Sequence, residues 1–138
     1  MDFDKIESDT AARLAKIDVG AIVHDAAARL DTACPGWHTV IRPERLRMLS
    51  CGACVIGQIM GSSLLPGSSF DDTWARLAGP WHGDGAVAYN PYAARFVAGS
   101  VDLYGEAVAS EQADHLLRAA WTSEVHARLT IAAPAQAA

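Results

Sequence analysis

The chain has 138 residues, of which 51% are hydrophobic and 20% charged, with a net charge of −5; at this length one domain can bury its own core without metal or disulfides. The acidic balance, with no basic cluster denser than Arg42, Arg45 and Arg47, argues against electrostatic binding to a nucleic-acid backbone. No basic segment leads into an apolar run at the start, and no run approaches ~18 uninterrupted apolar residues, so the reading is a cytoplasmic protein that does not enter a membrane.

In chain order, Ser8 to Ile17 reads as a short helix capped by Ser8 or Asp9. Asp18 then caps a better one from Val19 to about Ala33, where Val19, Ile22, Val23, Ala26, Ala27 and Leu30 recur on one helical face. Cys34-Pro35-Gly36 stops it, because proline disfavours helical geometry in the residue before it and glycine permits the reversal. Trp37 follows as an anchor, His38 to Ile41 reads as extended, and Arg42 to Leu46 as a turn or single helical turn.

Ser50 to Gly61 reads as a helix capped by Ser50 and closed by Gly61 in the left-handed conformation. It is apolar all round through Cys54, Val55, Ile56, Ile59 and Met60, which places it inside the domain. Gln58 is its exception and must find hydrogen-bond partners in a neighbouring segment. Gly57 and Gly61 remove side chains from one side, where close packing against another element is favoured over a ligand cleft.

Beyond a Ser62 to Ser69 loop, Phe70 to Ala78 is a short helix stopped by Gly79-Pro80. Trp81 to Gly85 is a glycine-rich turn, Asn90-Pro91 opens a helix to about Ala98, and Val101 to Tyr104 alternates like a short strand. Ser110 caps the last and longest helix, with Ala113, Leu116, Leu117, Ala120, Trp121, Val125 and Leu129 on its buried face. Residues 132–138 read as a disordered tail. The expected architecture is mainly α, a compact single-domain helical bundle over residues 1–131 with room for one small β element. Trp37, Val55, Ile59, Leu117 and Trp121 share its core.

Three cysteines without an export signal point to reduced thiols or a metal site in preference to a disulfide framework. Cys34, His38, Cys51 and Cys54 offer nitrogen and sulfur ligands in the tetrahedral number zinc prefers. Two enzyme readings compete. Cys51 and Cys54 could act as a redox pair, but the charged segment before them is no strand. A cysteine nucleophile could use His24, His38, His82, His115 or His126 as base, but no local signature selects a pair. The Trp81 to Gly85 turn lacks the lysine of a phosphate-binding loop. The aromatics from Trp81 to Tyr104 suggest a partner-binding surface, with Trp81, Tyr89 and Tyr92 its first candidates; the competing reading is that these rings roof the core under a loop.

The pattern Leu30-Asp31, Pro35-Gly36-Trp37, Leu46, Met48, Cys54-Val55-Ile56-Gly57-Gln58 and Gly61, with Ala120-Trp121 and Glu124-Val125 near the end, resembles small proteins of unknown function in actinobacteriophages and some actinobacteria. The resemblance implies an accessory protein of phage or prophage origin acting in the host cytoplasm, and it supplies no catalytic residues. The function expected is that of a small non-enzymatic accessory protein that binds a host protein. The alternative is a zinc-stabilised module built on the Cys/His quartet, and after it a cysteine-based enzyme. No cofactor other than zinc is suggested.

Overall fold

Asp18 opens the helix on which the fold is built. Its carboxylate accepts the Ala21 N–H at 2.9 Å, satisfying one of the free donors of the first turn. The computed structural model describes residues 2–50, 52–64, 69–77, 84–90 and 103–137. Among them are α1 (Phe3–Leu14), α2 (Val19–Ala33), α3 (Trp37–Val40), a 3-10 turn (Pro43–Arg45), α4 (Val55–Met60), α5 (Phe70–Leu77), α6 (Asp84–Tyr89) and α7 (Leu103–Ala137). The mainly helical expectation is borne out, and there is no strand among the described residues. No helix among them is long and apolar enough to cross a membrane.

The buried face of α2 is the expected one, with Val23, Ala26, Ala27 and Leu30 all inside, and it packs along α7. Where α2 stops, the Cys34 N–H still reaches Leu30 O at 2.8 Å, and the chain then reverses at Gly36, whose φ of 83° is left-handed. A Cβ there would meet nothing within 4 Å, so conformation and not crowding is what favours glycine. The reversal drives Trp37 into the core.

From Trp37 an aromatic chain runs through the molecule. Trp37 meets Trp121 of α7 edge-on at 5.6 Å, Trp121 lies against Tyr89 of α6 at 5.3 Å, and Tyr89 meets Trp74 of α5 at 6.1 Å. The indole N–H of Trp121 donates to Ala88 O at 2.7 Å, so this large side chain is buried without stranding its one donor. Val55, Ile59, Leu117 and Trp121 lie in one core with Trp37, as expected.

Several boundaries differ from expectation, each for a local reason. α1 begins at Phe3 because the Asp2 carboxylate, upstream of the expected cap, takes the Lys5 N–H at 3.0 Å. Residues 37–40 coil into a single helical turn, leaving Ile41 extended. α4 is shorter than expected: the turn N–H groups of Ala53 and Cys54 both go back to Ser50 O, and Cys54 supplies the cap, its sulfur accepting the Gly57 N–H at 3.3 Å. Gly61 is right-handed, with φ −72°. The end of α4 is closed by Ser62, whose N–H and hydroxyl both donate to Ile59 O, so no left-handed residue is required.

α5 keeps its expected place, with the Ser69 hydroxyl oxygen accepting the Asp72 N–H. α7 begins at Leu103, which puts Ser110 inside the helix and buries it. The expected strand is lost at Leu103 and Tyr104, which are helical, while Val101 and Asp102 lie outside the described residues. α7 also continues through residues 132–137, the stretch expected as a tail. The expected helix from Pro91 to Ala98 lies outside the described residues, and α6 occupies a stretch where no helix was expected.

Candidate functional site

Gln58, the one polar side chain of α4, positions the candidate site. Its Oε1 accepts the Arg42 N–H at 2.7 Å, and its Nε2 donates to Ala53 O at 3.0 Å with a longer contact to Arg42 O at 3.4 Å. The carboxamide thereby ties the segment before the 3-10 turn to the turn before α4, as the sequence required of it. Between these segments opens a cleft of about 510 Å³, bordered by Thr39, Arg42, Arg45, Gly57, Gln58 and Ser62. Gly57 and Gly61 both face it. Gly57 is nevertheless buried, and a Cβ on Gly61 would meet Gly57 O at 3.5 Å and Gln58 O at 3.7 Å, so the two glycines border the cleft while keeping close backbone neighbours.

Arg42 and Arg45 stand at either end of the 3-10 turn, closed by the Arg45 N–H to Arg42 O bond at 3.0 Å. Arg42 is extended and Arg45 lies within the turn, and both border the cleft. Both residues are exposed, and neither guanidinium has an ion pair or hydrogen bond among the described residues. Among the described residues no carboxylate lines the cleft. The signal for this site was present in the sequence as the densest basic cluster, which was weighed only against nucleic acid.

The Cys/His quartet distributes differently. Cys34 is buried at the end of α2, where burial pushes its thiol up against the opposing pull of Arg76. Cys54 is buried as the cap of α4. His38 presents its ring edge-on to Trp37 at 6.2 Å, with a buried Nδ1 that has no hydrogen-bond partner among the described residues. Cys51 lies outside the described residues. Among the described residues no three His, Cys, Asp or Glu side chains gather as a group able to hold a metal, so Cys34, His38 and Cys54 do not form one. Of the other histidines, His24 Nδ1 pairs with Glu124 at 2.8 Å, His115 and His126 are exposed, and His82 lies outside the described residues.

The expected aromatic surface is corrected at Tyr89, which is only 1% exposed and packs between Trp74 and Trp121. The residue caps no surface patch because the chain between α5 and α7 returns through the core as α6. Burial raises the Tyr89 hydroxyl well above its ordinary range, with Arg29 opposing, and the oxygen has no hydrogen-bond partner among the described residues. Trp81 and Tyr92 lie outside the described residues.

Asp31, Trp37, Glu124 and Arg128 build a seam between α2, α3 and α7. Asp31 Oδ1 accepts the Trp37 indole N–H at 2.9 Å, and both Asp31 oxygens take the Arg128 guanidinium at 2.9 Å. Arg128 also reaches Glu124 Oε2 at 2.6 Å and lies 5.3 Å above the Trp37 ring. The Arg128 hydrogen bond holds the Asp31 carboxyl below its ordinary value, helped by the Trp37 N–H against a smaller opposing effect of burial. At Glu124 burial opposes ionisation, but hydrogen bonds from Arg128 and His24 together outweigh it and lower the carboxyl. Arg128 itself was not singled out from sequence; its position one helical turn after Glu124 was the available signal.

No protein-family model, curated protein or solved structure matches this chain.

Proposed function

We propose that this chain is a small non-enzymatic binding protein of the phage accessory type, which engages a host protein through the face carrying the Arg42–Gln58 cleft. The observation that carries the reading is the pair of exposed arginines beside a cleft whose walls are tied together by the half-buried Gln58 carboxamide. Arginine is enriched at interface hot spots, and a backbone already held in place costs less to order when a partner docks. The sequence resemblance supports the phage origin.

The test is site-specific photocrosslinking in an actinobacterial host. A photoreactive residue at Thr39, on the cleft, is expected to yield a discrete protein adduct, while one at the exposed His126 of α7 yields none. Absence of an adduct at Thr39, or the same adduct from both positions, would overturn the reading.

A further inference from the structure

We infer that the Arg42–Arg45 cleft receives an acidic peptide segment, with side-chain carboxylates of the partner taken by the two guanidiniums. This rests on the protein-binding reading above and names the chemistry of the partner's contact.

The polar groups around the cleft decide what kind of ligand it can hold. The Thr39 hydroxyl donates its proton to Gly36 O at 2.6 Å. The Ser62 hydroxyl donates to Ile59 O and accepts the Leu64 N–H at 3.2 Å. The Gln58 amide protons go to Ala53 and Arg42 carbonyls. The donors of these three side chains are therefore engaged within the fold, and among the described residues the free side-chain donors at the cleft are the guanidiniums of Arg42 and Arg45. A ligand matched to them must supply acceptors with negative charge, and a carboxylate fits the planar fork of arginine through two parallel bonds.

Size and net charge narrow the choice. Ligand clefts run from roughly 300 to 1,000 Å³, and about 510 Å³ is room for a few side chains. A chain of net charge −5 repels a long polyanion outside the local field of two arginines, because unlike charges steer and like charges oppose over about a Debye length. A short run of Asp or Glu within an otherwise ordinary polypeptide carries few charges beyond the reach of the two arginines and meets less of that repulsion.

The experiment is fluorescence anisotropy on the full chain with a labelled Gly-Glu-Glu-Ala-Glu-Glu-Gly peptide, its glutamine counterpart, and a single-stranded oligonucleotide. The glutamate peptide is expected to bind on the order of tenfold more tightly than the glutamine peptide, and R42A and R45A each to weaken it by about tenfold. The doubly reversed variant R42E/R45E should lose the glutamate peptide and gain a lysine counterpart, a switch that an unfolded variant cannot produce. Equal binding of the glutamate and glutamine peptides would overturn the inference, as would unchanged binding in R42A/R45A or tighter binding of the oligonucleotide. If the Thr39 adduct survives while the glutamate preference fails, this inference alone is lost; if the adduct is absent, the binding reading falls with it.

Discussion

Arg128 and the Arg42–Arg45 pair carry the same cation in two opposite settings. The Arg128 side chain is 16% exposed, and its guanidinium is engaged by two carboxylates and the face of Trp37. Arg42 and Arg45 are exposed, with no acid among the described residues that line their cleft. The residue that organises each region differs accordingly. Asp31 fixes Trp37 and Arg128 with a charged group, whereas Gln58 fixes the Arg42 backbone with a neutral one. A carboxylate in place of Gln58 would set a negative charge among the cleft arginines and leave the Ala53 carbonyl facing a group that cannot donate. The neutral amide holds the backbone and preserves the field. In the first region charge joins α2, α3 and α7; in the second it stays available to a ligand.

The largest expected effect lies on the structural side. Trp121→Ala removes the centre of the aromatic chain and the bond to Ala88 O, and should cost about 3–5 kcal/mol, most of the stability of a marginal domain. Urea unfolding monitored by far-UV circular dichroism measures it. A midpoint within the error of the parent chain would mean that the seam and its core neighbours are not what holds the helices together.

Arg128→Ala comes next. Its charged hydrogen bonds would be worth more in a dry interior, but the Asp31 side chain is 47% exposed, so solvent screening reduces the expected cost to about 1–2 kcal/mol. The variant has a second signature in pH. The Asp31 and Glu124 carboxyls are lowered in the folded chain from ordinary values of 3.8 and 4.5, so the unfolded chain binds protons first as pH falls. Their contribution is complete above those ordinary values and is lost as pH drops through the lowered folded values. Acid titration of stability below about pH 5 should therefore be shallower in Arg128→Ala than in the parent. An identical acid profile would show that Arg128 does not set the ionisation of either carboxyl.

What the sequence made legible follows from how local the cause was. The α2 face, the Gly36 reversal and the buried α4 each depend on a few adjacent residues, and all were readable. So was the need of Gln58 for a partner, because a polar group on an apolar helix has few alternatives. The helix starts at Phe3 and Leu103 were missed because Asp2 acts upstream of a more conspicuous cap at Ser8, and because Ser110, a good cap by type, is taken inside α7 by the residues before it. The cleft was missed for a different reason. Gly57 and Gly61 state only that side chains are absent, and whether another helix or solvent fills the space depends on segments remote in sequence. The role of Asp31 was hidden likewise, since its strongest partner lies 97 residues away.

The smallest effect is the most discriminating. If Arg42 and Arg45 serve binding and not folding, replacing both with alanine should leave stability within about 0.5 kcal/mol of the parent, the range expected for exposed positions without structural partners. The Gln58 clip uses the backbone N–H and carbonyl of Arg42, both of which survive the substitution, and the 3-10 turn keeps its closing bond. Relieving repulsion between two neighbouring cations offsets part of any packing lost from their alkyl stems. Paired urea titrations of R42A/R45A and Arg128→Ala make the comparison direct, and adding salt sharpens it, because screening should bring the Arg128 variant closer to its parent while leaving the cleft variant where it stands. A loss of more than about 1 kcal/mol in R42A/R45A would assign those arginines to the scaffold and erase the distinction between the two regions.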